Sequence, residues 1–483
     1  MELNGHSFLE KVYKIVTEEQ GKSVPLIQFK HPEELEAILD LDVTEGSSDA
    51  NLEQCVRQVL QYSVKTGKPT FRNQLYGGTD SYGLAGAWIA EAFNTSQYTF
   101  EVAPAFTLIE LKLLRHILDL FGLTEGDGIF SPGGSMSLFY AVVAARFIAF
   151  PEVKTKGMRT LPELVLFTSE DSHYSIKKAA HWLGFGTESV KVIKTNDAGQ
   201  MMVEELDLEI QREKDLGRYP LLVNATAGTT VLGAIDDLVA VADVCKKHDV
   251  WMHVDACWGG SLILSAKHKH KLNGIQRADS LSWNPHKMAG APLQCSVLGV
   301  RRAGVLHAAN AAAARYLFQQ DKHYDVRYDT GDKSVQCGRK IDAFKLWMMW
   351  KARGDAGLSQ LTDHTLSKAQ FCLETVVAKP GFRLVTHTLQ CPNVCFWYIP
   401  TFMRGGVEDD KWWELMHKIT PRIKEKLMLS SRLMVAYCPV RQYKNFFRLA
   451  FTFQPVVAEA QILDMLNAIQ ECGEMVDRKY LLL

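Results

Sequence analysis

Between residues 163 and 300 the chain repeats one pattern: a short apolar run, a polar break, an amphipathic stretch, then another apolar run. The runs are ELVLFTS (163–169), VKVIKT (190–195), YPLLVNATAG (219–228), VWMHVDA (250–256), DSLSWN (279–284) and CSVLGV (295–300). Their β-branched and aromatic content reads as strand, while HYSIKKAAHWLG and DDLVAVADVCKKHD carry apolar residues at helical spacing. Strands joined by helices run parallel, and the helices then cover both faces of the sheet. The expectation is therefore an α/β fold around a mixed, mostly parallel sheet.

The flanks read differently. Residues 1–71 predict an N-terminal helical segment, since HPEELEAILDL and NLEQCVRQVLQYSVKTG have helical periodicity. The stretch 1–23 reads as an amphipathic helix and lacks the layout of a secretion signal. Residues 72–346 form the large domain of this reading, and 347–483 a smaller C-terminal α+β domain. In that last part PNVCFWYIP and NFFRLAFTF read as strands, and DKWWELMHKITPRIKEKLM and VAEAQILDMLNAIQECGEMV as helices. A formal net charge of -1 offers no electrostatic case for nucleic acid or an anionic membrane, and no run is long and apolar enough to span a bilayer. Only Cys391 and Cys395 of the 10 cysteines lie close together, with no second pair to complete a zinc set. No metal is expected, and free thiols of a reducing, cytoplasmic compartment are.

The polar breaks after the strands hold the chemistry. Lys287 follows the run ending at Trp283 and Asn284, where a surface loop lysine is the ordinary reading and an amine held in a cleft the alternative. Asp255 ends another run, in the region of an open parallel sheet where ligands bind, although a turn aspartate is an equal reading. Gly133, Gly134 and Ser135 precede a long helix pattern, as a simple turn does, and also as a phosphate cradle does. Thr229 and Thr230 offer hydroxyls to the same anion, or cap a helix. His173 follows a strand and precedes a helix. Together these meet the needs of pyridoxal 5'-phosphate: a lysine for its aldehyde, an acid beside its ring nitrogen, a plane over its ring and a cradle for its phosphate.

NPHKMAGAPLQCSVLGV (284–300) and HVDACWGGS (253–261) strongly resemble the group II pyridoxal-phosphate decarboxylases, from about residue 25 to the C-terminus. FNTSQYTFEVAPAFTLIE, DGIFSPGGSMS, YLFQQDKHYDVRYDTGDKSVQCGRKIDAFKLWMMWKARG and NFFRLAF are similar to the acidic-amino-acid branch, which includes glutamate, cysteine sulfinate and insect aspartate 1-decarboxylases. The resemblance implies a fold type I homodimer with its active site at the subunit interface. It implies that Lys287 carries the cofactor, Asp255 pairs with the pyridine nitrogen, and His173 stacks on the ring. Gly134, Ser135, Thr230, Asn284 and His286 match cofactor-binding positions. Arg448 matches the clamp on the substrate carboxylate, Gln74 and Tyr76 match substrate-side positions, and Tyr324 matches a mobile-loop proton donor.

The activity so implied is α-decarboxylation of a small acidic amino acid, with cysteine sulfinate to hypotaurine (and cysteate to taurine) expected first. Aspartate and glutamate remain alternatives, because pockets separate such neighbours by only about 1–3 kcal/mol. Leu293, where the insect aspartate enzymes carry glutamine, argues against aspartate. Arg72 is a possible second cation in the side-chain pocket, and the MAGAP tract after Lys287 is unusual. A catalytically silent binding protein of the same fold is the alternative of another class.

Overall fold

The computed structural model describes residues 5–21 and 24–476. Residues 1–4, 22 and 23 of the expected N-terminal helix, and 477–483 of the expected C-terminal domain, lie outside the described residues. A seven-stranded sheet carries the molecule, in the order Asp127–Ser131, Ser296–Val300, Ser280–Trp283, Trp251–Asp255, Tyr219–Thr226, Leu164–Ser169, Val190–Ile193. All neighbours pair in parallel except those of Ser296–Val300, which is antiparallel to both strands beside it. The mixed, mostly parallel sheet is as expected. Every residue of Leu164–Ser169 and all but the first of Tyr219–Thr226 are buried, which is why these strands read as mainly apolar runs with no alternation.

The strand Asp127–Ser131 was not among the expected ones. Asp127 and Gly128 are poor strand formers, and the segment reads as a lead-in to the Gly-Gly turn. Pairing decides it: a Cβ at Gly128 would come within 2.8 Å of the Leu298 carbonyl oxygen on the adjoining strand. Only glycine fits that approach.

A second, five-stranded sheet has the order Phe71–Arg72, Met434–Val440, Tyr443–Ala450, Asn393–Tyr398, Phe382–Leu384. Helices Asp410–Leu429 and Glu459–Glu474 pack on it. Its core joins Phe396, Phe446 and Phe447 to Ile419, Ile423 and Ile469. Chain segments and sheets do not divide at the same places. Phe71 pairs with Met434 in the second sheet, and helix Asp342–Ala378 runs across residues 346 and 347. Gly354 leaves helical geometry inside that helix (φ 62°, ψ 178°).

Candidate active site

The C-terminal ends of the parallel strands converge on a cavity of about 250 Å³. Thr226 and Asp255 are the last residues of their strands, and Asn284 follows Trp283 directly. Lys287 lines the same cavity from a tight turn. In that turn Lys287 N–H donates to Asn284 O (2.9 Å), Gly290 N–H to Lys287 O (3.1 Å) and Ala291 N–H to Pro285 O (3.1 Å). Gly290 takes φ 73°, which a side chain resists. Phe453 N–H closes on Met288 O and Asp80 N–H on Gly290 O, so the MAGAP tract is the brace that fixes the lysine.

Across the cavity Gly134 and Ser135 open the helix Gly134–Ala149, whose first N–H groups lack intrahelical partners. Gly133 precedes it at φ 107°. A Cβ on Gly134 would collide with Cys257 Sγ and lie 2.9 Å from Asn284 Nδ2. The buried Asn284 Oδ1 has no hydrogen-bond partner here. Thr230 lines the cavity, whereas the Thr229 hydroxyl accepts from Ala234 N–H (3.0 Å) and serves its own turn.

Burial pushes the Asp255 carboxyl up, but Lys287, the Cys257 thiol and His173 outweigh it and hold the group below the ordinary aspartate range. Its Oδ1 accepts from Cys257 N–H (3.1 Å). Burial pushes the His173 imidazole below its ordinary value; Asp255 opposes this and Lys287 reinforces it. His173 Nδ1 accepts from Ser175 N–H (3.3 Å), so the neutral ring carries its proton on Nε2. The cavity thus pairs an ionised acid and a neutral imidazole with a lysine.

Arg448 is buried beside this cavity, not in its lining. Its Nη1 donates to Thr230 O (2.7 Å) and its Nη2 to Asn73 O (2.7 Å), while Nε has no partner. Asn393 Nδ2 also reaches Thr230 O (3.3 Å), and Asn393 Oδ1 accepts from Trp258 Nε1 (2.7 Å). The second sheet therefore grips the Thr230 loop at two points.

Other expected site residues fall elsewhere. His286 does not line the cavity: it is buried with Nδ1 2.7 Å from Cys295 O, and burial pushes it down to about 4. It braces the turn that carries Lys287. Gln74 is exposed and Tyr76 half-buried against Phe71, both outside the lining. Tyr324 is not among the residues that line the cavity; its hydroxyl donates to Asp329 Oδ1 (2.9 Å) and its ring meets Phe100 (5.2 Å). Arg72 is no pocket cation: it is buried with Nε on Pro69 O (2.9 Å) and its guanidinium over Phe451. Leu293 is exposed and lines a separate hollow with Asp342 and Lys345.

Sequence reasoning missed Tyr174, Ser175, Thr226, Gly228, Cys257 and Trp258 among the lining residues. Each adjoins a residue or strand already singled out, so their signal was proximity to His173, to Asp255 and to the end of the 219–228 run.

These residues fit pyridoxal 5'-phosphate: a glycine-built helix start and an unpartnered Asn284 for phosphate and ring substituents, an ionised acid for a ring nitrogen, an imidazole plane and a lysine. Residues 32–399 match the pyridoxal-dependent decarboxylase conserved domain. The chain is 46% identical to human cysteine sulfinic acid decarboxylase, over 97% of this chain and 96% of that one. It is also 46% identical to an acidic amino acid decarboxylase of Xenopus tropicalis, over 97% and 93%. A crystal structure of mouse CSAD superposes with a TM-score of 0.95 at 44% identity, covering 98% of this chain and 100% of that one. The chain belongs to the pyridoxal-dependent decarboxylase family, and is a carboxy-lyase that uses pyridoxal phosphate on an amino acid.

Proposed function

We propose that this enzyme α-decarboxylates a small acidic amino acid, cysteine sulfinate before the others, yielding hypotaurine, and taurine from cysteate. The observation that carries the substrate reading is near-full-length similarity at 46% identity to a cysteine sulfinic acid decarboxylase. Similarity at the same level to a broader acidic amino acid decarboxylase keeps aspartate (to β-alanine) and glutamate as second readings.

In this reading Lys287 holds the cofactor aldehyde, Gly134, Ser135, Thr230 and Asn284 its phosphate and ring substituents, and His173 its face. When bound, the cofactor supplies an electron-accepting ring for the pair released as carbon dioxide leaves. Asp255, held ionised, keeps a proton on the nitrogen opposite it. Arg448 receives the substrate carboxylate; its unpartnered Nε supports this, since a guanidinium offers a planar fork to a carboxylate. Gln74 and Tyr76 stand on the segment tied to Arg448 through Asn73 O, which supports a substrate-side role for them.

Tyr324 is the proton donor to the α-carbon, and it acts on the cavity of a second copy. Its absence from the lining of its own chain's cavity supports a homodimer with shared sites. So do Trp88, Ile89, Phe93 and Leu108, large apolar side chains left 46%, 36%, 68% and 43% exposed on adjacent helices. A cytoplasmic location is supported by the ten free cysteines, and no described helix is long and apolar enough to cross a membrane.

The test is a competition of cysteine sulfinate, cysteate, aspartate and glutamate on the purified holoenzyme, with products identified by mass. The highest kcat/KM is expected for cysteine sulfinate. An equal or higher value for aspartate or glutamate overturns the choice.

A further inference from the structure

Among the described residues the His173 ring makes one hydrogen bond, the 3.3 Å contact of Nδ1 with Ser175 N–H. One bond fixes a point of the ring and leaves its plane free to turn. The backbone before it is firmer: Glu170 N–H donates to Ile193 O (2.9 Å) and Ser172 N–H to Ser169 O (3.1 Å). A ring that is to lie against a cofactor needs its plane held as well as its position.

The neighbouring side chain meets that plane. The rings of His173 and Tyr174 have centroids 4.2 Å apart and planes 33° apart. This is nearer than the about 4.5–7 Å usual for aromatic pairs, and closer to stacked than to perpendicular. Tyr174 is placed in turn by a helix. Ser175–Trp182 begins directly after it, and Lys177 N–H and Lys178 N–H donate to Tyr174 O (3.1 and 3.3 Å). Ile176, Ala179 and Ala180 root that helix in a core shared with Leu164 and Leu166. Lys178, one turn on, sets Nζ over the Tyr174 ring, 4.8 Å from its centroid.

Tyr174 lines the cofactor cavity and is nevertheless 59% exposed. Singly exposed rings are ordinary on a protein surface. Core packing does not account for one seated on a cavity imidazole and held there by an ammonium.

We propose that Tyr174 is a positioning residue whose ring backs His173 and sets the plane in which the imidazole meets the cofactor. An imidazole has two faces; Tyr174 takes one and leaves the other for the cofactor. The ring does this and not the hydroxyl. The inference rests on the proposed role of His173 against the cofactor's face, and Tyr174 acts through that residue.

The experiment compares the parent holoenzyme with holoenzymes carrying Tyr174→Phe, Tyr174→Ala and His173→Ala. Two quantities are followed: the visible circular dichroism of the bound cofactor, which reports how asymmetrically its ring is held, and the rate of cofactor release after dilution. Tyr174→Ala is expected to move the dichroism from the parent value toward that of His173→Ala, and to release cofactor about fivefold faster, the worth of one aromatic pair. Tyr174→Phe, which keeps the ring, should match the parent in both. Apoprotein melting temperature should be the same in Tyr174→Ala as in the parent; a fall would make the ring a prop of the fold and overturn the proposal. If Tyr174→Ala matches the parent in both readouts while His173→Ala does not, the backing role is wrong and the role of His173 stands. If His173→Ala also matches the parent, the role of His173 fails and the inference with it. If Tyr174→Phe departs as far as Tyr174→Ala, the hydroxyl and not the ring is responsible, which also overturns the proposal.

Discussion

The wall of the Lys287 cavity and the segment carrying Tyr324 are built by opposite means. The wall consists of strand ends and the first turn of a helix, each fixed by a buried sheet. Behind it Trp283 is wholly buried, with Nε1 on Ser261 Oγ (3.0 Å). The Tyr324 segment has no strand, and Tyr316 within it is 79% exposed. One carboxylate gathers it: Asp329 accepts from Tyr324 Oη (2.9 Å), Lys322 Nζ (2.8 Å) and Phe100 N–H (2.8 Å). The groups proposed to hold the cofactor are thus preorganised, while the proposed proton donor hangs on bonds that can be exchanged.

Replacement of Lys287 tests the wall most severely. Lys287→Ala should lower decarboxylation by about 10³-fold or more and abolish covalent retention of cofactor, read by borohydride reduction and mass measurement. Retained cofactor mass on the variant would show that another amine does the work. Tyr324→Phe tests the other side of the contrast. Product formation should slow by roughly 10²-fold while abortive transamination rises and thermal stability holds. Equal loss of both reactions would remove Tyr324 from the protonation step.

The wall also depends on a buried neutral imidazole. His286 sits at about 4 in the folded chain against an ordinary 6.5, because burial disfavours its charged form. Between those values the unfolded chain binds a proton that the folded one refuses, so stability is present above pH 6.5 and is lost as pH falls toward 4. The share of His286 at pH 4.5 is about 2–3 kcal/mol. Urea midpoints at pH 7 and 4.5 should therefore fall less in His286→Gln than in the parent, and an identical fall would mean that the folded chain admits the proton. The smallest effect is expected in the loop. Asp329→Ala should cost about 1–3 kcal/mol locally. Amide exchange over residues 316–328 should quicken while exchange in Trp251–Asp255 stays as it was; a uniform rise would erase the contrast between wall and loop.

Much of the wall is legible in one dimension. A strand buried on both faces reads as a mainly apolar run, so the charged Asp255 and Lys287 and the Asn284 beside them stand out at its end. The helix start at Gly134 is readable for a similar reason: paired glycines before an apolar-periodic stretch leave few other conformations. The strand at Phe71 and Arg72 is not readable. It is two residues long and exists because Met434 and Val435 lie beside it. Arg72 looked like a ligand cation, since charge alone does not reveal that its donors end on the carbonyls of residues 69, 450 and 455. His286, one residue from Lys287, looked like a cofactor contact, but the turn directs it to Cys295 instead.

Local pattern in this chain settled the alternation of strand and helix and the kinds of reactive side chain at the strand ends, because both follow from burial and backbone geometry over a few residues. Tertiary structure alone decided which of those side chains share a cavity, that residues 73, 230 and 448 are tied together, and that Tyr324 bonds to Asp329 and is not in the lining of the Lys287 cavity. Contacts between residues hundreds of positions apart depend on how two sheets dock, and that docking is set by the packing of whole faces, for which no short stretch of sequence holds the terms.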